Sequence, residues 1–254
     1  MKRFEQIIIA NWKMQLSVEE AKKLAESLKN LLGGETGLSA KQVVVCPDFL
    51  SLVEVASIIK DSGLILGAQD GFYEAAGPFT GQVSLQHLKD LGCQYVILGH
   101  SEKRALGETD KSVNLKVKSA LTQGLAPIIC VGETFEERQE GNKGTVIMHQ
   151  VYEALQGVQP IEGQNIIIAY EPVWVIGSGQ AISGQEAAQT AAMIRQSYVD
   201  AMDGQYLEAL SVIYGGSVDS DNIRSFTSQT NIQGALVGSS SLKSKVFADL
   251  VKNA

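Results

Sequence analysis

Hydrophobic residues in this chain are grouped in short continuous runs, where polar residues do not alternate with them. The runs are rich in valine and isoleucine, and longer mixed segments separate them. Eight such runs occur, at residues 6–13, 42–48, 64–70, 95–100, 126–133, 166–174, 210–217 and 234–242. Continuous apolar runs are typical of strands buried on both faces, so the pattern predicts a parallel sheet covered by helices.

The segments between the runs have helical spacing. Residues 17–32, SVEEAKKLAESLKNLL, repeat alanine and leucine along one face, and Ser17 stands three residues before Glu20, as in a capping box. A strand followed by a helix, eight times over, predicts an α/β fold, a (β/α)8 barrel of eight parallel strands with outer helices. An open doubly wound sheet is the alternative on pattern alone. No linker or change in composition divides the 254 residues, so we expect one barrel domain over residues 1–254.

Charge and composition narrow the class of partner. The formal net charge is −7 and the basic residues are scattered, which argues against a nucleic-acid partner. Cys46, Cys93 and Cys130 have neither CxxC spacing nor a pattern of zinc ligands, and this fits a reducing compartment. His87 and His149 lie in helical stretches and are interpreted as structural. No apolar run is long enough for a signal peptide or a membrane span, so we expect a cytoplasmic protein without membrane contact. The charge and the cysteine and histidine positions lead us to expect a small-molecule partner and no metal.

Polar residues and glycines gather at the carboxyl ends of the predicted strands. In a parallel barrel these ends meet on one face, which carries the active site in essentially every characterised enzyme of this fold. The chemistry is therefore expected there. The residues in question are Asn11, Lys13, His100, Glu133, Glu171, Gly215, Gly216, Ser217, Gly238 and Ser239.

The first and fourth strand ends supply an amide, an ammonium and an imidazole. Asn11 and Lys13 flank Trp12, so on a strand both polar side chains would face the barrel mouth. His100 precedes SEKR, which predicts the first turn of a helix, and a helix amino end disfavours an imidazolium. We therefore expect His100 to be a neutral imidazole that donates a hydrogen bond.

The sixth strand end combines a carboxylate with an uncharged loop. Glu171 lies between Tyr170 and Pro172 in AYEPVW, in surroundings apolar enough to desolvate a carboxylate, which suits a general base. The following loop has no charge and little bulk, and its glycines offer bare N–H groups. Such a loop can fold over a ligand and expel water. The predicted lid is Val175, Ile176, Gly177, Ser178 and Gly179.

Small residues cluster after the seventh and eighth runs, in YGGS and VGSSSL. Barrels of this kind often bind phosphate at this place through backbone N–H groups and a short helix. Neither stretch is specific by itself. Together with the lid they predict a phosphate site that uses no arginine.

These motifs, taken together, resemble one family from end to end. NWKM, GHSEKR, CVGETFEER, AYEPVW with IGSG, YGGS and LVGSSSL are similar to the motifs of the triosephosphate isomerase family. The resemblance implies a TIM barrel that interconverts dihydroxyacetone phosphate and D-glyceraldehyde 3-phosphate through an enediolate. It also implies a homodimer that needs no cofactor.

The resemblance assigns roles residue by residue. It implies that Glu171 is the base, that His100 is the electrophile, and that Lys13 and Asn11 stabilise the developing oxyanion and bind substrate. Glu102 and Cys130 fall at positions that line the site in the family, and we expect supporting roles for both. The backbone groups that would bind the phosphate are those of Gly177, Ser217, Gly238 and Ser239.

The lid and phosphate turn depart from the family pattern. The lid's trailing hinge contains Gln180, Ala181 and Ile182, and Ser239 stands where a glycine is usual. Ser178 keeps a hydroxyl, so we expect lid closure and function to persist.

The loop EAAGPFTGQVS, residues 74–84, is implied to reach a second subunit. In the family this loop inserts into the neighbouring subunit, where the threonine that matches Thr80 reaches the partner's Asn11 and Lys13. Gln82 and Lys103 stand where the family usually has a glutamate–arginine ion pair. We expect a dimer in which association orders the site.

Two other classes of function remain open at this point. A Schiff-base aldolase on the same fold would use Lys13 as its nucleophile. A phosphate-binding barrel without catalysis would not need a base opposite an electrophile, and Asn11, Lys13, His100 and Glu171 together therefore favour an enzyme.

Overall fold

The structure is a computed structural model that describes residues 6–33 and 41–254, so residues 1–5 and 34–40 of the predicted domain lie outside it. Within the described ranges, eight parallel strands form a closed barrel in chain order. They are β1 Gln6–Asn11, β2 Lys41–Cys46, β3 Ile65–Ala68, β4 Tyr95–Leu98, β5 Ala126–Val131, β6 Ile166–Tyr170, β7 Leu210–Tyr214 and β8 Gly234–Val237.

Helices cover the outside of the barrel. The described α-helices are α1 Val18–Leu32, α2 Leu52–Ile59, α3 Leu85–Asp90, α4 Ser101–Ala105, α5 Asp110–Thr122, α6 Phe135–Gln139, α7 Lys143–Leu155, α8 Gly184–Ala201, α9 Ile223–Thr227 and α10 Ser244–Asn253. The capping box predicted for α1 is present, with Ser17 and Glu20 bonded reciprocally. His87 and His149 lie in α3 and α7. Among the helices that the structure describes, none has the length and apolar character needed to cross a membrane.

The barrel closes between its first and last strands. Ile7 of β1 lies opposite Gly234 of β8, and β1 also pairs with β2 from Gln6 to Asn11. An open sheet would leave two edge strands without these pairs. The (β/α)8 barrel predicted from the apolar runs is therefore confirmed, and the open-sheet alternative is wrong.

The strands end earlier than the apolar runs do. β6 stops at Tyr170, because Pro172 has no N–H for the strand ladder and Val173–Val175 form a 3₁₀ turn. β1 stops at Asn11, and Lys13 beyond it has a left-handed backbone with φ 54°. The expectation that Lys13 lies on the first strand is wrong. Its side chain lines the barrel mouth from the turn that follows the strand.

Side chains alternate between the barrel interior and the helix layer. The interior cluster comes from alternate positions on the strands, and the intervening residues pack against the helices. Since the alternation has a period of two, it decides which residue at each strand end faces the mouth. The interior residues are Ile7, Ile9, Val44, Cys46, Tyr95, Ile97, Ile128, Cys130, Ile167, Ala169, Ile213 and Leu236.

Candidate active site

The carboxyl ends of the strands surround a cavity of about 460 Å³. Asn11, Lys13, His100 and Glu171 line it. They come from the ends of β1, β4 and β6, which are not neighbours in the barrel. The fold therefore brings together an amide, an ammonium, an imidazole and a carboxylate from distant parts of the chain.

Glu171 lies at the edge of this cavity with only 2% of its surface exposed. It continues the interior positions Ile167 and Ala169 of β6. The backbone N–H of Ser101 donates to Oε2 of Glu171 at 3.1 Å. Gly215 lies directly against Glu171, where an added Cβ would stand 2.8 Å from its Cγ, so the carboxylate needs a glycine as its neighbour.

His100 caps the amino end of α4 and contacts Glu171. The backbone N–H of Glu102 donates to Nδ1 of His100 at 3.2 Å. A ring nitrogen that accepts a hydrogen bond carries no hydrogen, so in the neutral ring the hydrogen is on Nε2. Nε2 lies 3.1 Å from Oε1 of Glu171. Gly99 precedes His100 with φ 70°, which turns the chain at the strand end and is readily adopted only by glycine.

Lys13 and Asn11 form a second pair at the first strand end. Oδ1 of Asn11 accepts the backbone N–H of Lys13 at 3.1 Å. Nζ of Lys13 donates to Oε1 of Glu102 at 2.7 Å, and Glu102 also lines the cavity. The ammonium thus stands at the cavity wall beside an exposed carboxylate that a ligand can displace.

Small residues form another part of the cavity wall. Ser239 begins a 3₁₀ helix, Ser239–Leu242, at the cavity edge. The first N–H groups of a helix have no acceptors within it, so they are suited to an anion. The predicted phosphate-binding residues on this wall are Gly177, Ser217, Gly238 and Ser239.

The predicted lid is held at both ends. Val175 and Ile182 are buried in the core, and the Val175 carbonyl accepts from the hydroxyls of Ser178 and Ser217 at 2.9 and 3.3 Å. The residues of the lid that line the cavity are Ile176, Gly177 and Gly179. Ile182 in the trailing hinge is therefore a core anchor.

Glu133, which was expected at the mouth, is not in the cavity. It has no exposed surface and bonds to the Tyr170 hydroxyl at 3.2 Å and to Nε1 of Trp174 at 3.1 Å. Alternation explains the error, because Ile128 and Cys130 of β5 face the interior and Glu133 has the opposite parity. It therefore packs on the helix side of the barrel.

Cys130 lies in the barrel interior and does not line the cavity. Burial, and then the negative charge of nearby Glu171, raise the pKa of its thiol. The resemblance implies that Cys130 lines the site, whereas the structure places it in the barrel interior next to Glu171. Cys130 therefore has contact with the carboxylate and none with the cavity.

The loop after β3 is exposed. Thr80 and Gln82 are both exposed, and Lys103 pairs with Asp70 of its own chain at 2.9 Å. Lys103, which stands where the family usually has an arginine, is thus paired with a carboxylate of the same subunit. Gln82 is uncharged and needs no ion-pair partner.

Sequence reasoning missed one residue that contacts Glu171 and several that line the cavity. Ser101 was overlooked because its contribution is a backbone N–H, which its side chain does not signal. Leu236 could have been found from the interior parity of β8. The cavity residues not predicted are Gln15, Val218, Asp219, Leu236 and Ser240.

A buried carboxylate and an imidazole in contact, in a cavity that small residues also line, define a barrel enzyme that moves protons on a small anionic substrate. Comparison with known proteins agrees with this class. The family described as triosephosphate isomerase matches residues 6–254. The chain is 43% identical over 248 residues to triosephosphate isomerase of Dictyoglomus thermophilum, covering 97% of this chain and 98% of the relative.

Two further relatives carry the same name. The chain is 43% identical over 246 residues to triosephosphate isomerase of Pelobacter propionicus, covering 96% of this chain and 97% of that one. It is 45% identical over 251 residues to that of Dehalococcoides mccartyi, covering 98% and 96%. The chain belongs to the triosephosphate isomerase family. It is accordingly an isomerase that acts on a triose phosphate.

Proposed function

We propose that this chain interconverts dihydroxyacetone phosphate and D-glyceraldehyde 3-phosphate with Glu171 as the base. Glu171 removes a proton from the carbon beside the substrate carbonyl and delivers a proton, which can exchange with solvent, to the neighbouring carbon. A proton also moves from the substrate hydroxyl to the former carbonyl oxygen, which completes the exchange of ketone and aldehyde. The negative charge that develops on oxygen gives an enediolate. The substrate and the reaction are those of the family to which the chain belongs.

The observation that carries the mechanism is the contact between Glu171 and His100. Nε2 of His100 is the donor, and its acceptor is Oε1 of Glu171 at 3.1 Å. A substrate oxygen that takes this N–H removes one of the carboxylate's partners. Substrate binding therefore supplies the donor to the carbonyl and frees the base in the same event.

Lys13 and Asn11 complete the electrostatics. Both line the cavity beside His100 and can donate to a developing oxyanion. Preorganised donors of this kind contribute several kcal/mol in comparable oxyanion sites, about 2.7–4 kcal/mol for one donor. Lys13 also attracts the phosphate, which the backbone groups of Ser217, Gly238 and Ser239 would hold.

A Schiff-base aldolase is a weaker reading of the same site. Lys13 is ion-paired with Glu102 at 2.7 Å, and an ammonium is not a nucleophile. A barrel that only binds phosphate is also weaker, because it has no use for a buried carboxylate in contact with an imidazole.

An assay in deuterated water tests the reaction and the base together. A dehydrogenase-coupled assay should show isomerisation in both directions, and product formed in deuterated water should carry solvent deuterium beside the carbonyl. Isomerisation with no deuterium in the product would favour a direct shift of hydrogen between the two carbons over transfer through a carboxylate that exchanges its proton with solvent. Borohydride added with substrate should leave the protein mass unchanged, whereas a reduced adduct on Lys13 would favour the aldolase.

We also propose that the chain acts as a homodimer. Large apolar side chains are exposed on the loops after β1, β2 and β3, namely Met14 at 93%, Leu50 at 83% and Phe79 at 38%. These strands are neighbours in the barrel, so their loops follow one another around its mouth and expose apolar side chains that a partner would cover. A second copy of the chain is the occupant that would also bring Thr80 to the partner's Asn11 and Lys13.

A charge placed at Thr80 tests whether association completes the site. Thr80→Arg should give a folded monomer with very low activity, and wild-type specific activity should fall on dilution together with dissociation. Thr230→Arg, at an exposed threonine before β8, is the matched control and should remain a fully active dimer. Full activity in a Thr80→Arg monomer, verified by sedimentation, would mean that each subunit organises its own site.

The cytoplasmic location remains a proposal. Cys46, Cys93 and Cys130 are free and buried, and burial raises the pKa of the Cys93 thiol to about 12. Free thiols fit a reducing compartment. Recovery of the native protein in the cytosolic fraction would support it, and recovery outside the cytosol would refute it.

A further inference from the structure

Lys13 holds its ammonium in the cavity from a backbone conformation that few residues adopt. Its φ of 54° is left-handed, and this conformation is uncommon for any residue other than glycine, asparagine or aspartate. Such conformations persist only where the surrounding structure fixes them. The contacts of the Lys13 main chain therefore indicate how the side chain is aimed.

Two hydrogen bonds fix the main chain of Lys13. Its N–H donates to Asn11, as described above, and its carbonyl accepts from Nε2 of Gln69 at 2.9 Å. The same Nε2 donates to the carbonyl of Cys46, also at 2.9 Å. A side-chain amide has two N–H hydrogens, so Gln69 uses both of them on these two carbonyls.

Gln69 therefore ties three consecutive strand ends together. It directly follows β3, Cys46 ends β2, and Lys13 follows β1. The Cys46 carbonyl also accepts the N–H of Trp12 at 3.1 Å. The turn from Asn11 to Lys13 is therefore bonded both to the end of β2 and to the side chain of Gln69. Gln69 does not itself line the cavity.

We propose that Gln69 is a positioning residue that holds Lys13 in its left-handed turn and so aims the ammonium at the substrate. The proposal rests on the role of Lys13 in the proposed function. A carboxylate at this position cannot donate to either carbonyl and repels both, because it has only acceptors. The nearly isosteric change Gln69→Glu therefore removes the two bonds without a large change in volume.

The test is a double-mutant cycle with Lys13. Gln69→Glu should lower kcat/KM roughly 10- to 100-fold, the scale expected when a catalytic group is displaced by about 1 Å. In a Lys13→Met background, the same change should lower kcat/KM no further, because no ammonium remains to be aimed. A merely structural role would give equal losses in both backgrounds and would overturn the proposal.

A matched control separates positioning from general damage. Nε2 of Gln164 also donates to a carbonyl, that of Leu121 at 2.7 Å, but in the connection before β6 at the other end of the barrel. Gln164→Glu should lower stability and leave kcat/KM within about twofold of wild type, a change of about 0.4 kcal/mol. An equal loss of kcat/KM in Gln164→Glu and Gln69→Glu would also overturn the proposal.

Two outcomes are kept distinct by the cycle. Full activity in Lys13→Met refutes the proposed function of Lys13, and the positioning role fails with it. A large loss in Lys13→Met with unchanged kcat/KM in Gln69→Glu refutes the positioning role alone. If Gln69→Glu does not fold, Gln69→Met, which lacks donors but adds no charge, enters the same cycle with the same expected results.

Discussion

Glu133 and Glu171 follow neighbouring strands of one barrel, and both are buried, with 0% and 2% of their surface exposed. Only Glu171 lines the cavity. Both were candidates because both stand at strand ends. The difference between the two regions shows what separates a structural carboxylate from one that is available for chemistry.

The partners of Glu133 are numerous and come from side chains. The Tyr170 hydroxyl lies 3.2 Å from each of its oxygens, Nε1 of Trp174 donates to Oε1, and Arg138 stands 3.5 Å away. Burial, and then the negative charge of Glu133, raise the pKa of Tyr170, so its hydroxyl stays a donor. Glu133 is therefore held in one place by these side chains, next to Trp174 and the start of the lid.

The partners of Glu171 are of a different kind, and one of them is exchangeable. It accepts from a backbone N–H of Ser101 and contacts His100, which is itself the group that a substrate oxygen would engage. A buried carboxylate with few fixed donors keeps lone pairs that can accept a proton. Burial alone is common to both glutamates, and it is the set of partners that differs.

Removing the lid tip should have the largest effect on activity, because it uncovers Glu171 and leaves the Glu133 network in place. Deletion of residues 176–179 should abolish most activity and release methylglyoxal, since an enediolate exposed to water and no longer held at its phosphate can eliminate it. Product analysis of the deletion variant checks this. Turnover that yields only isomer would mean that the loop does not exclude water.

Exchanging Glu171 for glutamine should remove the base and keep the cavity. Glu171→Gln should lower kcat by about 10² to 10⁴, the usual contribution of a positioned acid or base, while an anionic substrate analogue binds with nearly unchanged affinity. Steady-state kinetics and calorimetric titration with the analogue measure the two effects. A change of less than about tenfold in kcat would assign the base to another residue.

The same exchange at Glu133 should act on stability. Glu133→Gln replaces charge-assisted acceptors by one amide oxygen, so we expect a loss of about 1.5–3 kcal/mol in the free energy of unfolding. The loss of turnover should be much smaller than in Glu171→Gln. Urea denaturation at one fixed protein concentration, because association also stabilises, measures the first effect. Unchanged stability with a large kinetic loss would place Glu133 in the catalytic machinery.

The fold could be predicted because eight apolar runs encode eight buried strands. The site could be predicted as far as strand ends converge, which brought Glu171, His100 and Lys13 to one mouth. Parity along β5 and β6 could also have separated Glu133 from Glu171, because Cys130 and Ala169 fix the interior positions. The apolar runs do not mark where each strand ends. The turns that follow the strands, such as the one at Lys13, could therefore not be predicted from these runs.

Gln69 shows what sequence could not supply. A glutamine after a strand resembles any polar surface residue, and its two acceptors lie 56 and 23 positions away in the chain. The left-handed turn at Lys13 likewise has no local signal, since lysine is not a residue type that favours it. Both depend on how three strand ends meet in space.

The smallest expected effect concerns the outer end of the Glu133 network. Arg138 lies 2.7 Å from Oε1 of Glu186, and Lys143 donates to the same oxygen at 3.0 Å. Burial acts to raise the pKa of Glu186, but hydrogen bonds from Arg138 and Lys143 outweigh it, and the pKa is lowered from 4.5. A carboxyl whose folded-state pKa is below its unfolded value stabilises the fold above the unfolded pKa, and this contribution is lost as pH falls through the folded one.

Glu186→Gln should therefore cost about 0.2–1 kcal/mol at pH 7, the scale of partly exposed ion pairs. The difference from wild type should shrink as the pH falls below 4.5, where Glu186 becomes protonated. Urea midpoints of both proteins across this range measure it, with Glu162→Gln, at an exposed glutamate before β6, as the control. A difference that stays constant with pH would mean that Glu186 stabilises the fold by packing and not by its charge.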